Sequence, residues 1–254
     1  MVSVPLTCPQ CGSENVAPYG FYPNGKQRYI CKNQNCSRKI FLASYKNKAC
    51  DPKIKRQIFE QTANGSGTRA IARNLGISKD TVTATLKKTE KFVRQVNEDY
   101  IKRNKENIEG VTLVRVAEAE MDEMWSFVHD KSQQCWLWWA VDHKTGEPLA
   151  YVFGTREHAN LDELRNLLNP FFDIKTVYVD GNPAYENIAE SEVVVGKANT
   201  QRIENKHISL RTWCSRLVRK GIRFSKSHLM HRIVVGIVIN FWFFDNTVWF
   251  PLFF

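Results

Sequence analysis

The spacing of apolar residues changes twice along the chain, and the changes mark out three regions. Up to about residue 50 the apolar positions are short aromatic runs, Tyr19, Phe21, Tyr22 and Tyr29, which read as brief strands between cysteines. From Asp51 the spacing becomes helical: Asp51 caps, Pro52 sits in the first turn, and Ile54, Ile58 and Phe59 lead to a break at Asn64-Gly65-Ser66-Gly67. A second helix is predicted over Thr68 to Leu75, ending at Gly76. Ser78 caps a third that runs through Val82 and Leu86. Lys87 to Glu109 is polar, with Phe92, Val93 and Val96 too sparse for a core, so a linker is expected over 91–110.

From Val111 the pattern turns to strands. Thr112 to Ala117, Glu120 to Val128, Gln134 to Asp142 and Pro148 to Thr155 are strand-like, with a turn at His143-Lys144-Thr145-Gly146. A helix follows over Asn160 to Leu168 with Asn160 as cap, then a buried strand from Thr176 to Val179 that ends at Asp180-Gly181-Asn182-Pro183. A short helix from Ala184 to Ala189 and a strand from Glu192 to Val195 come next. Asn199 or Thr200 then caps a helix whose buried stripe is Ile203, Leu210, Trp213 and Leu217. Ile233 to Phe244 reads as a buried C-terminal helix. That apolar run is shorter than the roughly twenty residues a membrane span needs, and Asn240 and Asp245 interrupt it. Strands first, then helix and strand in alternation, predicts an α/β protein with a mixed sheet. The order matches the ribonuclease H-like fold. Residues 1–50, 51–90, 91–110 and 111–254 are thus expected as a metal ribbon, a helix-turn-helix, a linker helix and the sheet domain.

Charge sharpens this division. The formal net charge is +10 and the pI about 9.3, which suits a polyanionic partner, although a membrane surface or ribosomal setting would also attract such a chain. Residues 1–50 carry seven Lys or Arg against Glu14 alone, whereas residues 111–196 carry six against fifteen acids. An acidic island inside a basic protein suggests bound cations. Between Lys197 and Arg232 the sign reverts, with ten Lys or Arg and one carboxylate, Glu204. Glu204, His207, Ile208 and Arg211 fall on one helix face, so the acid could hold a metal beside a phosphate contact, or be a surface Glu stabilised by its cationic neighbours.

Seven cysteines, four of them early, and no secretory leader point to a reducing interior and to metal ligation. Cys8 and Cys11, then Cys31 and Cys36, lie on either side of a short hairpin, the layout of a zinc ribbon; Cys50 is an alternative ligand. The basic and aromatic residues between the pairs suit phosphate contact and base stacking, or form the ribbon's small core. In the helix-turn-helix, Ala72, Gly76, Ile77 and Val82 stand where the helices meet. Lys79, Asp80, Thr81, Thr83 and Thr85 would then face a major groove. In the sheet domain, Asp122 on the first strand, Asp180 after the fourth and Glu204 on the helix after the fifth would converge. Three such carboxylates call for hard divalent cations. Glu123 and Asp142 are rival ligands, and strand alternation lets only one of Asp122 and Glu123 face the site.

Met121-Asp122-Glu123-Met124-Trp125-Ser126-Phe127-Val128, Val179 through Glu186, and Thr200-Gln201-Arg202-Ile203-Glu204 with Leu210-Arg211 resemble the transposases of insertion sequence 1, along nearly the whole chain. The resemblance implies an Asp-Asp-Glu triad of Asp122, Asp180 and Glu204, with Arg211 as the accompanying basic residue. It implies Mg2+ at the triad, as a pair of ions, and a structural Zn2+ on Cys8, Cys11, Cys31 and Cys36. It further implies binding of terminal inverted repeats and target DNA; Arg73, Lys79, Thr81, Thr83 and Lys206 are the DNA contacts expected from the sequence. Several copies would assemble on DNA in a prokaryotic cytoplasm, associated with the nucleoid and with no membrane partner. A nuclease or resolvase on the same fold, or a non-catalytic repressor, are the competing readings.

Overall fold

A computed structural model describes residues 5–36, 40–108, 111–185, 192–218 and 222–244. The chain divides into two compact units that part between Phe92 and Val93, with Ala63–Gly65 counted in the second.

The first unit opens with an antiparallel sheet of β1 (Val16–Phe21), β2 (Gln27–Cys31) and β3 (Ile40–Leu42), in that order. Its core is Cys8, Cys31, Cys36 and Phe41, with Leu6, Val16 and Tyr29 packed around them. A core this small cannot carry a domain by hydrophobic burial alone. Tyr19, Phe21 and Tyr22 stay exposed, so they are not that core. Three helices follow: α1 (Pro52–Ala63), α2 (Thr68–Leu75) and α3 (Lys79–Lys88). The expected caps are present: the Asp51 carboxylate accepts from the Lys53 N–H (2.9 Å) and the Ser78 hydroxyl from the Thr81 N–H (3.0 Å). Gly76 turns the chain with φ +62°, where a side chain would strain. Ile58, Phe59, Ile71, Ala72, Val82 and Leu86 are buried.

The second unit begins inside the stretch expected to be a linker. Short helix α4 (Glu98–Asn104) and strand β4 (Glu106–Ile108) belong to the domain: Tyr100 is buried in its core, Val96 and Ile101 pack on that core, and β4 pairs with the next strand. One tyrosine supplies the apolar area that Val93 and Val96 alone lack.

The sheet then comprises β5 (Val111–Val128), β6 (Asp130–Asp142), β7 (Pro148–Gly154), β8 (Phe172–Val179) and β9 (Glu192–Val195). They lie in the order β7-β6-β5-β8-β9. The first three in sequence are antiparallel, and β8 and β9 run parallel to β5. This is the ribonuclease H-like arrangement, with the longest strand in the centre. The sequence breaks β5 into two segments at its polar middle; the structure keeps it whole because those acids find partners. The Tyr178 hydroxyl donates to Glu118 (2.9 Å), and His143 donates to Glu120 (2.7 Å).

Three helices complete the unit: α5 (His158–Leu168), α6 (Gln201–Trp213) and α7 (His228–Trp242). α5 starts before Asn160, which does not cap it and instead donates to the Thr155 hydroxyl (2.9 Å). Where a short helix is expected after Asp180, Pro183–Tyr185 forms a single 3-10 turn, and residues 186–190 lie outside the described part of the chain. α7 approaches the sheet at Gly236, where an added Cβ would come within 2.4 Å of Val93 and 2.9 Å of the Tyr151 hydroxyl. Asn240, one turn on, donates to the Arg94 and Gly236 carbonyls (2.8 Å each) and accepts from the Arg94 N–H (3.1 Å). Among the described residues no helix is long and apolar enough to cross a membrane.

Candidate active site

β8 pairs with β5 only as far as Glu120↔Tyr178. Beyond that pair the two strands part, and the carboxylates of Asp122 and Glu123 on β5 and of Asp180 just past β8 come together. One oxygen from each lies within 4.8 Å of the others. Crowded acids favour the proton, and burial adds to the effect. Burial raises the Asp122 carboxyl from its ordinary 3.8 to about 7; Glu123, Asp180 and Glu204 push the same way, against the backbone N–H of Glu123, which donates to Asp122 (2.8 Å).

Glu123 does not turn away as alternation predicts. A glutamate is long enough to bend round the edge of a strand that has no partner there. Its carboxylate accepts from Arg156 Nε (3.0 Å), Asn182 Nδ2 (2.7 Å) and the Tyr185 hydroxyl (3.1 Å). Burial, followed by the charges of Glu123 and Asp122, keeps that tyrosine protonated well above its ordinary range. Both oxygens of Glu123 are thus hydrogen-bonded, whereas Asp122 and Asp180 each have one oxygen without a hydrogen bond from a described residue: Asp180 accepts only the Asn182 N–H (3.0 Å). Asp122, Glu123 and Asp180 together could hold a metal ion, with Glu123 the most heavily hydrogen-bonded of the three. Asp142, the other rival, is taken up by the Tyr100 hydroxyl (2.7 Å) and by Lys144 and Thr145 in its own turn (2.8 Å each).

The three carboxylates that meet do not include Glu204, which stands on α6. Its carboxylate is exposed and makes no hydrogen bond or ion pair with a described residue, yet it is close enough for its charge to help raise Asp122. Two polar ties fix the helix that carries it. Thr200 occupies the cap position but its side chain makes no capping bond; instead the fully buried Glu120 accepts the Ile203 N–H (2.9 Å) with one oxygen and His143 Nδ1 with the other. One turn past Glu204, Trp139 donates its indole N–H to His207 Nε2 (2.8 Å). Indole is only a donor, so the neutral ring carries its proton on Nδ1, which lies 3.6 Å from Asp122 Oδ2. Sequence reasoning places His207 near the site but misses Glu120, Trp139 and His143. Their signal is the presence of polar groups at positions that strand alternation buries. Arg211 is half-buried two turns after Glu204, and Lys206 is half-buried with its ammonium 5.3 Å from the Phe243 ring centre.

In the first unit, Cys8, Cys11, Cys31 and Cys36 converge, and Cys50 is exposed on a separate turn. Cys8 and Cys36 sulfurs are 3.7 Å apart, Cys11 and Cys31 3.6 Å. Four thiols at this separation can close around one metal ion. On α3, Lys79, Asp80, Ala84, Lys87 and Lys88 are exposed. Thr81 and Thr83 are half-buried, their hydroxyls bonded to Ser78 and to the Lys79 carbonyl. Arg73 is exposed on α2.

Known proteins match in both units. The profile of the "InsA C-terminal domain" matches residues 45–90, and that of the "IS1 transposase" residues 115–245. Insertion element IS1 protein InsB of Shigella sonnei is 43% identical over 123 residues, covering 48% of this chain and 93% of that protein. Insertion element IS1 9 protein InsB of Escherichia coli K12 is also 43% identical over 123 residues, covering 73% of its length. Among solved structures, the catalytic core domain of BIV integrase overlaps 49% of this chain and 82% of its own, with 14% identity and a TM-score of 0.34. The transposase profile spans more than half of the chain and takes in all three acids, and the chain belongs to the IS1 transposase family, with a DNA-binding helix-turn-helix ahead of an Asp-Asp-Glu catalytic domain.

Proposed function

We propose that the protein binds the terminal inverted repeats of an insertion sequence through residues 1–90, cuts at the element's ends and joins them to target DNA, with Asp122, Asp180 and Glu204 as the catalytic acids. The observation that carries this is the meeting of Asp122, Glu123 and Asp180 where β8 ends, with the Glu204 charge acting on Asp122. An all-oxygen donor set of net negative charge fits Mg2+. A pair of such ions held by these carboxylates would supply activation of a water or 3′-hydroxyl and stabilisation of the leaving oxygen. The chain's own part is to hold the carboxylates at fixed separation: Trp139 and His207 orient Asp122, Asn182 orients Asp180, and Glu120 fixes the start of α6. Arg211 holds a phosphate of the bound strand. Zn2+ is the ion for the four cysteines: tetrahedral Zn–S bonds of about 2.3 Å give sulfur separations of about 3.8 Å, close to the 3.7 and 3.6 Å found here. Arg73, Lys79, Thr81, Thr83 and Lys206 contribute DNA contacts, several copies assemble on the two element ends, and the work takes place at the nucleoid of a prokaryotic cell.

The test is cleavage and joining of a plasmid carrying both element ends. Asp122→Asn, Asp180→Asn and Glu204→Gln each keep side-chain shape but withdraw a charged ligand. Each is expected to lose about a thousandfold or more in rate, since every 1.4 kcal/mol on the barrier is about tenfold, while terminal-repeat binding stays within about twofold. Arg211→Ala should lose less. Retained activity in Glu204→Gln would overturn the assignment.

A further inference from the structure

We propose that the outer face of the ribbon hairpin, Tyr19, Phe21 and Tyr22 with Arg28, is a stacking platform for unpaired nucleotides of a DNA strand. This rests on the reading that residues 1–90 bind DNA, and names a form of DNA that the helix-turn-helix does not read.

The rings have no structural task in the ribbon. Its core is built from Leu6, Val16, Tyr29 and Phe41 around the cysteines, while Tyr19, Phe21 and Tyr22 are 46%, 64% and 44% exposed. Three large aromatic side chains left in water on so small a sheet forfeit burial that a folded domain ordinarily takes. Arg28 on the adjacent strand lies over two of them, its guanidinium carbon 5.5 Å from the Tyr19 ring centre and 5.3 Å from that of Tyr22. A register irregularity in β1 and the positive φ of Gly20 bring it there: a Cβ on Gly20 would stand 3.3 Å from the Arg28 Nη2. The guanidinium makes no hydrogen bond or ion pair with a described residue, and its Nε is enclosed without a hydrogen-bond partner among the described residues. A planar cation with five donors, set by two rings and short of acceptors, is complementary to a phosphate.

Charge selects nucleic acid over a protein partner, because residues 1–50 hold seven cations and only Glu14 as an acid. Ring faces select unpaired bases. A duplex keeps its base faces stacked inside and offers only edges and phosphates, whereas a frayed or cut strand offers a face for each ring and a phosphate for Arg28. Strand cleavage creates such ends.

The experiment measures binding of the full-length protein, in buffer free of divalent cations, to a labelled oligothymidine and to a duplex of equal length. Phe21→Ala and Tyr22→Ala are each expected to weaken single-strand binding by about tenfold, in the range found for loss of one base-aromatic stack, with duplex binding within about twofold. Phe21→Trp should restore it. Arg28→Gln should weaken single-strand binding and lessen its salt dependence. Because Phe21 and Tyr22 are exposed, their truncation leaves the ribbon folded, which an unchanged zinc content would verify. Lys79→Ala is the separate arm: it reports on duplex binding by α3, so a failure there counts against the helix-turn-helix reading and not against the platform. Unchanged single-strand binding in the Phe21→Ala, Tyr22→Ala double variant would overturn the platform. So would an equal loss on duplex and single strand, or a change in oligomeric state in place of a change in DNA affinity.

Discussion

At Asp122, acid-base chemistry and the proposed metal binding would be one equilibrium. Its carboxyl is raised from 3.8 to about 7, so between those values the folded protein holds a proton that the unfolded chain has released. The metal-free fold therefore draws stability from this group at acid pH and loses it as pH rises through about 7. A divalent cation takes the proton's place. The rise in melting temperature caused by Mg2+ should consequently be small near pH 5.5 and reach a plateau near pH 8, and Asp122→Asn should flatten that dependence. A Mg2+ effect of constant size across this window would contradict the coupling. Glu204 lies outside the cluster that forms, and only the convergence of Asp122 and Asp180 is legible from strand order. The orientation of Glu123 is not, because alternation describes where a side chain leaves a strand, whereas Glu123 bends at an edge that exists only because β8 stops pairing at Tyr178.

At the scale of elements, α6 is held at its start by a carboxylate 83 residues earlier in the chain. Local pattern reading puts Thr200 at the cap, and the residue is there, but the bond comes from Glu120 on the central strand. No window along the sequence contains both. An N-cap side chain is worth about 1 kcal/mol to its helix; here the same bond sets the position of Glu204. Glu120→Ala should lower strand cleavage by more than about tenfold with DNA binding unchanged, and should cost a few degrees of melting temperature, roughly what a loss near 1 kcal/mol gives in a domain of this size. Full cleavage activity in this variant would show that α6 is fixed by Trp139 and His207 alone. The strands and the helix-turn-helix caps are legible because their signals are local, whereas α4 reads as linker because the residue that buries it, Tyr100, meets its partners only in the folded sheet.

For the whole molecule, the division between Phe92 and Val93 separates two kinds of stability. The catalytic unit has an extensive apolar core, while the ribbon has only a handful of side chains around its cysteines and would depend on the proposed metal. Cys31→Ser should remove the single zinc from the full-length protein and abolish specific DNA binding, yet leave the melting transition of the catalytic unit in place. Metal analysis and calorimetry on one sample would check both. A variant that kept its zinc would shift the ligand set toward Cys50. The distribution of charge along the chain carries this division in the sequence itself, since the basic N-terminal region and the acidic island fall on different units.

Asn240 joins the first segment of the catalytic unit to its last helix through the Arg94 backbone. Two ends that meet are an engineering handle: the unit can be spliced as a loop into another protein, or permuted by linking its ends and opening the chain elsewhere, without stretching the sheet. The same clasp also means that a cut made before α7 removes a wall of the fold and leaves Tyr151 facing solvent.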